Sequence, residues 1–77
     1  MKNFVPEADV WVSTVKLRYP FGLDGKSCYE TMVFKGDEND IKDWTELDIG
    51  RYENREDACR GHISMIAKWQ GSVVIKQ

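Results

Sequence analysis

The chain has 77 residues, 42% of them hydrophobic and 12% aromatic, which suffices for one small core and argues against disorder. A charged fraction of 31% with a net charge of -2 excludes a polybasic surface for nucleic acid or anionic lipid. No apolar run approaches the roughly 18 residues of a membrane span, and Met1–Glu7 carries no apolar leader, so the expected setting is soluble and cytoplasmic. Cys28 and Cys59 are too few and too far apart for a disulfide framework.

No repeat or low-complexity linker divides the chain, so residues 1–77 are expected to form one domain. The first nine residues, with Pro6, Glu7 and Asp9, predict a loose lead-in. Val10 to Leu17 is rich in β-branched and aromatic residues and predicts a strand. Its two faces carry Trp11, Ser13, Val15 and Leu17, or Val10, Val12, Thr14 and Lys16. Neither is cleanly polar, as expected of a strand covered on both sides.

Tyr19-Pro20-Phe21-Gly22-Leu23-Asp24-Gly25 has the Pro, Gly and Asp-Gly content of a turn. Tyr19, Phe21 and Leu23 at such a tip mark a candidate interface, including one between two copies of the chain. Ser27 to Lys35 then completes a hairpin. Cys28, Glu30, Met32 and Phe34 share one of its faces.

From Asp37 to Asp48 six acids (Asp37, Glu38, Asp40, Asp43, Glu46, Asp48) stand against Lys42 alone. Asp37, Glu38 and Asp40 with Trp44 form a second candidate interface, suited to a basic partner. The bland alternative is a solvated loop. It is not a calcium loop, because a glycine at its sixth position and a glutamate at its twelfth are missing. Trp44 to Tyr52 predicts a third strand with Leu47 and Ile49 facing inward.

Asn54 followed by Asp57 resembles a capping box. Ala58, His62, Met65, Ile66 and Trp69 repeat at the spacing of one helical stripe. Gly71 is a natural helix stop, after which Ser72 to Gln77 predicts a further short strand. The expected fold is α+β: a two-layer sandwich of three or four mainly antiparallel strands on one helix, in the order β-β-β-α-(β).

The pattern Ser13-Thr14-Val15, then Tyr29-Glu30-Thr31-Met32-Val33-Phe34, then Arg51-Tyr52, then Ala58 with Gly61-His62, resembles a group of short phage and prophage proteins of unknown function. The resemblance runs from about Val12 to Trp69. Tyr29 replaces that group's Phe, and Asn54 stands where its capping Thr usually falls. It implies a fold and a phage or prophage origin, with no established activity, and the expected setting is then the cytoplasm of a host cell.

Chemistry centres on His62, which the helical stripe turns toward the sheet. If Glu30 faces the same interior, the two can meet, with Cys28 on the same strand face and Arg51 nearby. Glu30, His62, Arg51 and Cys28 therefore make a candidate ligand or enzymatic pocket. The competing reading is structural: a satisfied core histidine, an anchoring ion pair and a filler cysteine. One His and two distant Cys give no metal spacing, no cofactor motif is present, and no catalytic residue is assigned. The expectation is a small accessory protein that binds a host or phage protein, such as an inhibitor of a defence protein, without direct contact to nucleic acid or membrane. A ligand pocket and a self-associating scaffold are the alternatives.

Overall fold

The computed structural model describes the backbone of residues 1–21 and 27–74 and the side chains of residues 1–18 and 27–71. Strands β1 (Lys2–Val5), β2 (Val10–Phe21), β3 (Ser27–Gly36) and β4 (Ile41–Tyr52) precede helix α1 (Arg55–Val74). The strands form an antiparallel meander in the order β1-β2-β3-β4, and the helix lies across one face. This is the expected α+β sandwich, with its fourth strand at the N-terminus.

The lead-in is thus a strand. Lys2-Asn3-Phe4-Val5 pairs with β2 in the register Asn3↔Val12 and Val5↔Val10. Two apolar residues in four are too short an alternation to stand out from sequence, and the pairing comes from β2. The β1–β2 turn closes through the Ala8 N–H, which donates to the Val5 carbonyl at 3.2 Å. Asp9 sits at φ 52°, where aspartate is tolerated better than most residues. Its carbonyl accepts the Gly36 N–H at 3.0 Å, which ties this turn to the end of β3.

Alternation and register sort the side chains by face. Val5, Val10, Val12, Thr14, Thr31 and Val33 point toward α1 and are buried, and Ala58, His62 and Met65 close on them. The helical stripe is therefore as expected. At its start the Asn54 Oδ1 accepts the Asp57 N–H at 2.9 Å, while the Asn54 amide donates to the Asp57 carboxylate at 3.1 Å, a reciprocal cap.

Two expectations about β4 and the tail are corrected. Val33 pairs with Asp48 and Lys35 with Asp43, so Trp44–Leu47 bulges opposite Phe34 alone. That register turns Asp48 toward the helix, where the Lys68 ammonium and the Trp69 indole N–H donate to its carboxylate. Ile49 then faces away, and Leu47 and Ile49 are 49% and 39% exposed rather than core. At the other end α1 runs through Gly71 to Val74, so 72–74 are helix and not strand. A glycine in a helix costs only about 1 kcal/mol relative to alanine, too little to stop a helix that is otherwise favoured. The predicted strand's residues 75–77 lie outside the described residues.

Gly61 and Gly50 hold a slot for Tyr52. A Cβ at Gly61 would overlap the Tyr52 ring, and one at Gly50 would stand 2.6 Å from its hydroxyl. Gly71 has open space around it. Gly61→Ala should therefore destabilise the fold by about 1–3 kcal/mol despite its better helix propensity. Gly71→Ala should stabilise it by about 0.5–1 kcal/mol. Urea denaturation of the pair checks this, and stabilisation by both would show that Tyr52 is not locked in place.

Candidate functional site

His62 is 3% exposed, and both ring nitrogens are satisfied. Nδ1 lies 2.6 Å from the Thr14 hydroxyl, which in turn lies 2.6 Å from the Thr31 hydroxyl. Nε2 lies 2.7 Å from Asn3 Oδ1. One proton arrangement fits all three contacts: Thr31 donates to Thr14, Thr14 donates to Nδ1, and the Nε2–H donates to Asn3. The chain Thr31–Thr14–His62–Asn3 thus links β3, β2, α1 and β1 between the layers. Burial holds the imidazole pKa below its ordinary value of 6.5, and the Met1 ammonium adds repulsion to the charged form.

The order hydroxyl, imidazole, amide oxygen has the outline of a nucleophile, a base and an orienting group. Thr14 is only 5% exposed, and its oxygen is already shared between Thr31 and His62. In this state the four groups hold one tautomer and one register.

Glu30 does not join them. It neighbours Thr31 on the same strand, so alternation sends it to the opposite face. There it pairs across the strands with Arg51, Nε to Oε2 at 3.1 Å. The proposed meeting of Glu30 with His62 is therefore corrected. Glu30 lay among apolar residues in the sequence because β3 has two apolar faces, and only one of them meets the helix. Cys28, half-buried, lies two residues before Glu30 on β3, away from His62. Arg51 also lines a cleft of about 480 Å³ with Ser27, Tyr52, Glu53, Asp57 and Arg60, and neither His62 nor Glu30 nor Cys28 reaches it. The four candidate pocket residues do not converge. Among the described residues, no three His, Cys, Asp or Glu side chains are placed to hold a metal ion. Nor is any helix long and apolar enough to cross a membrane.

The face away from α1 is organised in rows. Phe4 pairs with Trp11, Trp11 with Phe34, and Trp44 packs on Phe34 with centroids 5.1 Å apart. The Phe4 and Trp11 rings are 5.3 Å apart. Four aromatics therefore cross the sheet from β1 to β4. Beside them run Lys2, Ser13, Met32 and Ile49, then Val15, Glu30 and Arg51. Phe34 is buried under its neighbours, whereas Trp44 is 68% exposed. Sequence reading noted Trp44 but missed the row, because it needs the β2–β3 register and the β4 bulge.

The acidic loop is a built turn bordering that row. Asp37 Oδ1 accepts the N–H groups of Asn39 and Asp40, and these bonds lower its pKa. The Asp37 carbonyl accepts the Trp11 indole N–H at 2.8 Å. Asp37 faces Lys42 at 3.8 Å, and Asp40 faces Lys2 at 3.7 Å. Glu38 and Glu46 have no cationic partner among the described residues. The side chains of Tyr19 and Phe21, and all of Leu23, lie outside the described residues. No protein-family model, curated protein or solved structure matches this chain.

Two predictions follow from the buried polar groups. Because the folded pKa of His62 is lowered, the unfolded chain binds more protons once the pH drops below about 6.5. The stability that the neutral ring contributes is complete above that pH and is lost as pH falls toward the folded value. The four aspartates with lowered pKa act only near and below 3.8, a separate window. Thermal melts should fall between pH 7 and 5 in the native protein. His62→Ala should lose about 1–3 kcal/mol at pH 7 and abolish that slope. A flat native profile would contradict the buried neutral ring. At the ion pair, Arg51→Met should cost about 1 kcal/mol by stranding Glu30, and adding Glu30→Met should recover most of it. Equal losses in the single and double variants would mean that the pair has no coupling.

Proposed function

We propose that this chain works by binding a protein, docking it on the face away from the helix. The observation that carries this reading is the row Phe4–Trp11–Phe34–Trp44 set beside the Asp37–Asp40 turn. Nothing among the described residues covers that row, and Trp44 is the exposed aromatic of the kind that dominates binding energy at interfaces. The bordering turn carries Glu38, and Glu46 lies in β4; neither has a cationic partner among the described residues. A partner with an apolar patch edged by lysine or arginine matches both features. Complementary charge speeds its encounter and selects its orientation.

The resemblance to phage and prophage proteins supplies the narrower form: an accessory protein that covers a basic, partly apolar surface of a host or defence protein. A small domain with a built turn blocks such a surface without doing chemistry. The candidate pocket of Glu30, His62, Arg51 and Cys28 supports no competing enzymatic reading, since His62 lies on the opposite face of the sheet from the Glu30–Arg51 pair.

Asp37 shapes its turn, so Glu38 and Glu46 are the clean charge probes. Affinity capture from a bacterial host lysate should retain one protein with the native chain. Trp44→Ala should weaken that complex by about thirtyfold or more. Glu38→Lys with Glu46→Lys should weaken it mainly at low salt. Identical capture by native and variant chains would overturn the reading. So would a homodimer, seen by light scattering, that Trp44→Ala dissociates, because a second copy would then occupy the face.

A further inference from the structure

A pocket of about 240 Å³ opens at the start of α1, between the helix and the sheet. It is lined by Met1, Thr14, Val15, Lys16, Tyr29, Arg55, Ala58 and Cys59. Its position follows from register. Lys16 pairs with Tyr29 one row beyond the buried Thr14–Thr31 pair, on the same sheet face, and Arg55, Ala58 and Cys59 supply the helical wall.

Among the described residues, four side-chain cations stand outside ion-pair distance of a carboxylate, Lys16, Arg18, Lys35 and Arg55, and two of these line this pocket. Lys2, Lys42, Arg51, Arg60 and Lys68 each lie within ion-pair distance of a carboxylate. Lys16 and Arg55 have no acidic partner among the described residues, yet both line the same small pocket. No aspartate or glutamate lines it. In a chain of net charge -2, two cations with no acidic partner among the described residues line one cavity from different elements, β2 and α1.

We propose that this pocket binds a small oxyanion carried on a ring, an aryl phosphate or aryl carboxylate. Lys16 and Arg55 hold the oxyanion, Arg55 with the planar fork that suits phosphate and carboxylate. The Tyr29 ring, Ala58 and the Met1 side of the pocket receive the apolar body. Size sets the class. Drug-sized ligands occupy about 300–1,000 Å³, whereas a cavity of about 150 Å³ accepts benzene. The size of the pocket therefore suits a ring with one charged group. Such a group can arrive free or as a phosphorylated aromatic side chain of a protein, and the chemistry recognised is the same.

The site is independent of the docking face, because it lies on the helix side of the sheet. Thr14 joins it to His62, so a bound anion alters the imidazole environment through the Thr14 hydroxyl.

The experiment is an NMR titration of the full chain with phenyl phosphate, benzoate and inorganic phosphate at constant ionic strength. A short peptide carrying phosphotyrosine forms a further arm. Phenyl phosphate should give saturable shifts at Lys16, Tyr29, Arg55, Ala58 and His62, and it should bind at least tenfold tighter than inorganic phosphate. Lys16→Gln and Arg55→Gln should each raise its Kd about tenfold with unchanged melting temperature, while Lys42→Gln should leave it unchanged. Peptide binding as tight as that of phenyl phosphate identifies a protein-borne group, and its exclusion identifies a free one. Non-saturating shifts, shifts spread equally to Lys42 and Lys68, or a Kd indifferent to both pocket variants would overturn the proposal.

Discussion

The rest of the fold depends on one buried polar chain, Thr31–Thr14–His62–Asn3. Among the described residues, the buried apolar core beside it is slight: four valines, Ala58 and Met65, with Ile66 and Trp69 packed half-buried against them. Valines tolerate sliding, since one β-branched residue packs much like the next. The hydrogen bonds do not. A slip of β2 against β3 by two residues, which keeps the valines on the helix face, would separate Thr14 from Thr31 and leave buried hydroxyls unpaired, at a cost of about 1–3 kcal/mol each. His62 extends the same constraint to the helix and, through Asn3, to the short first strand. Register in this small domain is thus specified mainly by polar contacts and only secondarily by hydrophobic volume.

A second constraint is arithmetic. A meander of four strands has two faces, and the described residues supply one helix. The helix covers the valine and threonine face, so the aromatic residues of β1 to β4 are left on the other. The ladder Phe4–Trp11–Phe34–Trp44 limits this exposure by stacking the rings on one another, and the Lys2 ammonium lies 4.9 Å from the centre of the Trp11 ring. The Glu30–Arg51 pair closes the far end of the same face with polar groups. Such an arrangement keeps the face in water at tolerable cost while leaving Trp44 proud of it.

The sequence made some of this legible and hid the rest for identifiable reasons. The helix was readable because its period and its Asn54 cap are local properties, and neither depends on a partner strand. The two central strands were readable from their β-branched runs. What escaped was non-local. Glu30 was placed on the wrong face because both faces of β3 are apolar, so alternation could not say which one meets the helix. Leu47 and Ile49 were turned inward because the Trp44–Leu47 bulge, which shifts the phase of β4, leaves no periodic signature. Asp48 was counted as part of a surface acidic run, yet it receives the Lys68 ammonium and the Trp69 indole against the helix. The first strand was missed because four residues carry too little pattern without β2 beside them.

Magnitudes decide what the proposed docking on the exposed face would require. Burying the open part of Trp44 would release on the order of 3–4 kcal/mol, given about 25 cal/mol per Å² and up to about 250 Å² for an aromatic residue. Association costs about 4–15 kcal/mol in lost translational and rotational freedom. Trp44 alone therefore cannot hold a partner. The half-buried rings of Phe4 and Trp11, with Met32 and the 39% exposed Ile49, must be covered in the same event. A narrow peptide crossing one end of the sheet does not reach all of them, since they spread over four strands. A flat partner surface does, and its charged border then falls against the Asp37–Asp40 turn, because the Trp11 indole is bonded to that turn's backbone. Under the proposed docking, the geometry of the row favours a broad, shallow contact, in which the acidic turn would serve orientation and the aromatics would supply the attraction.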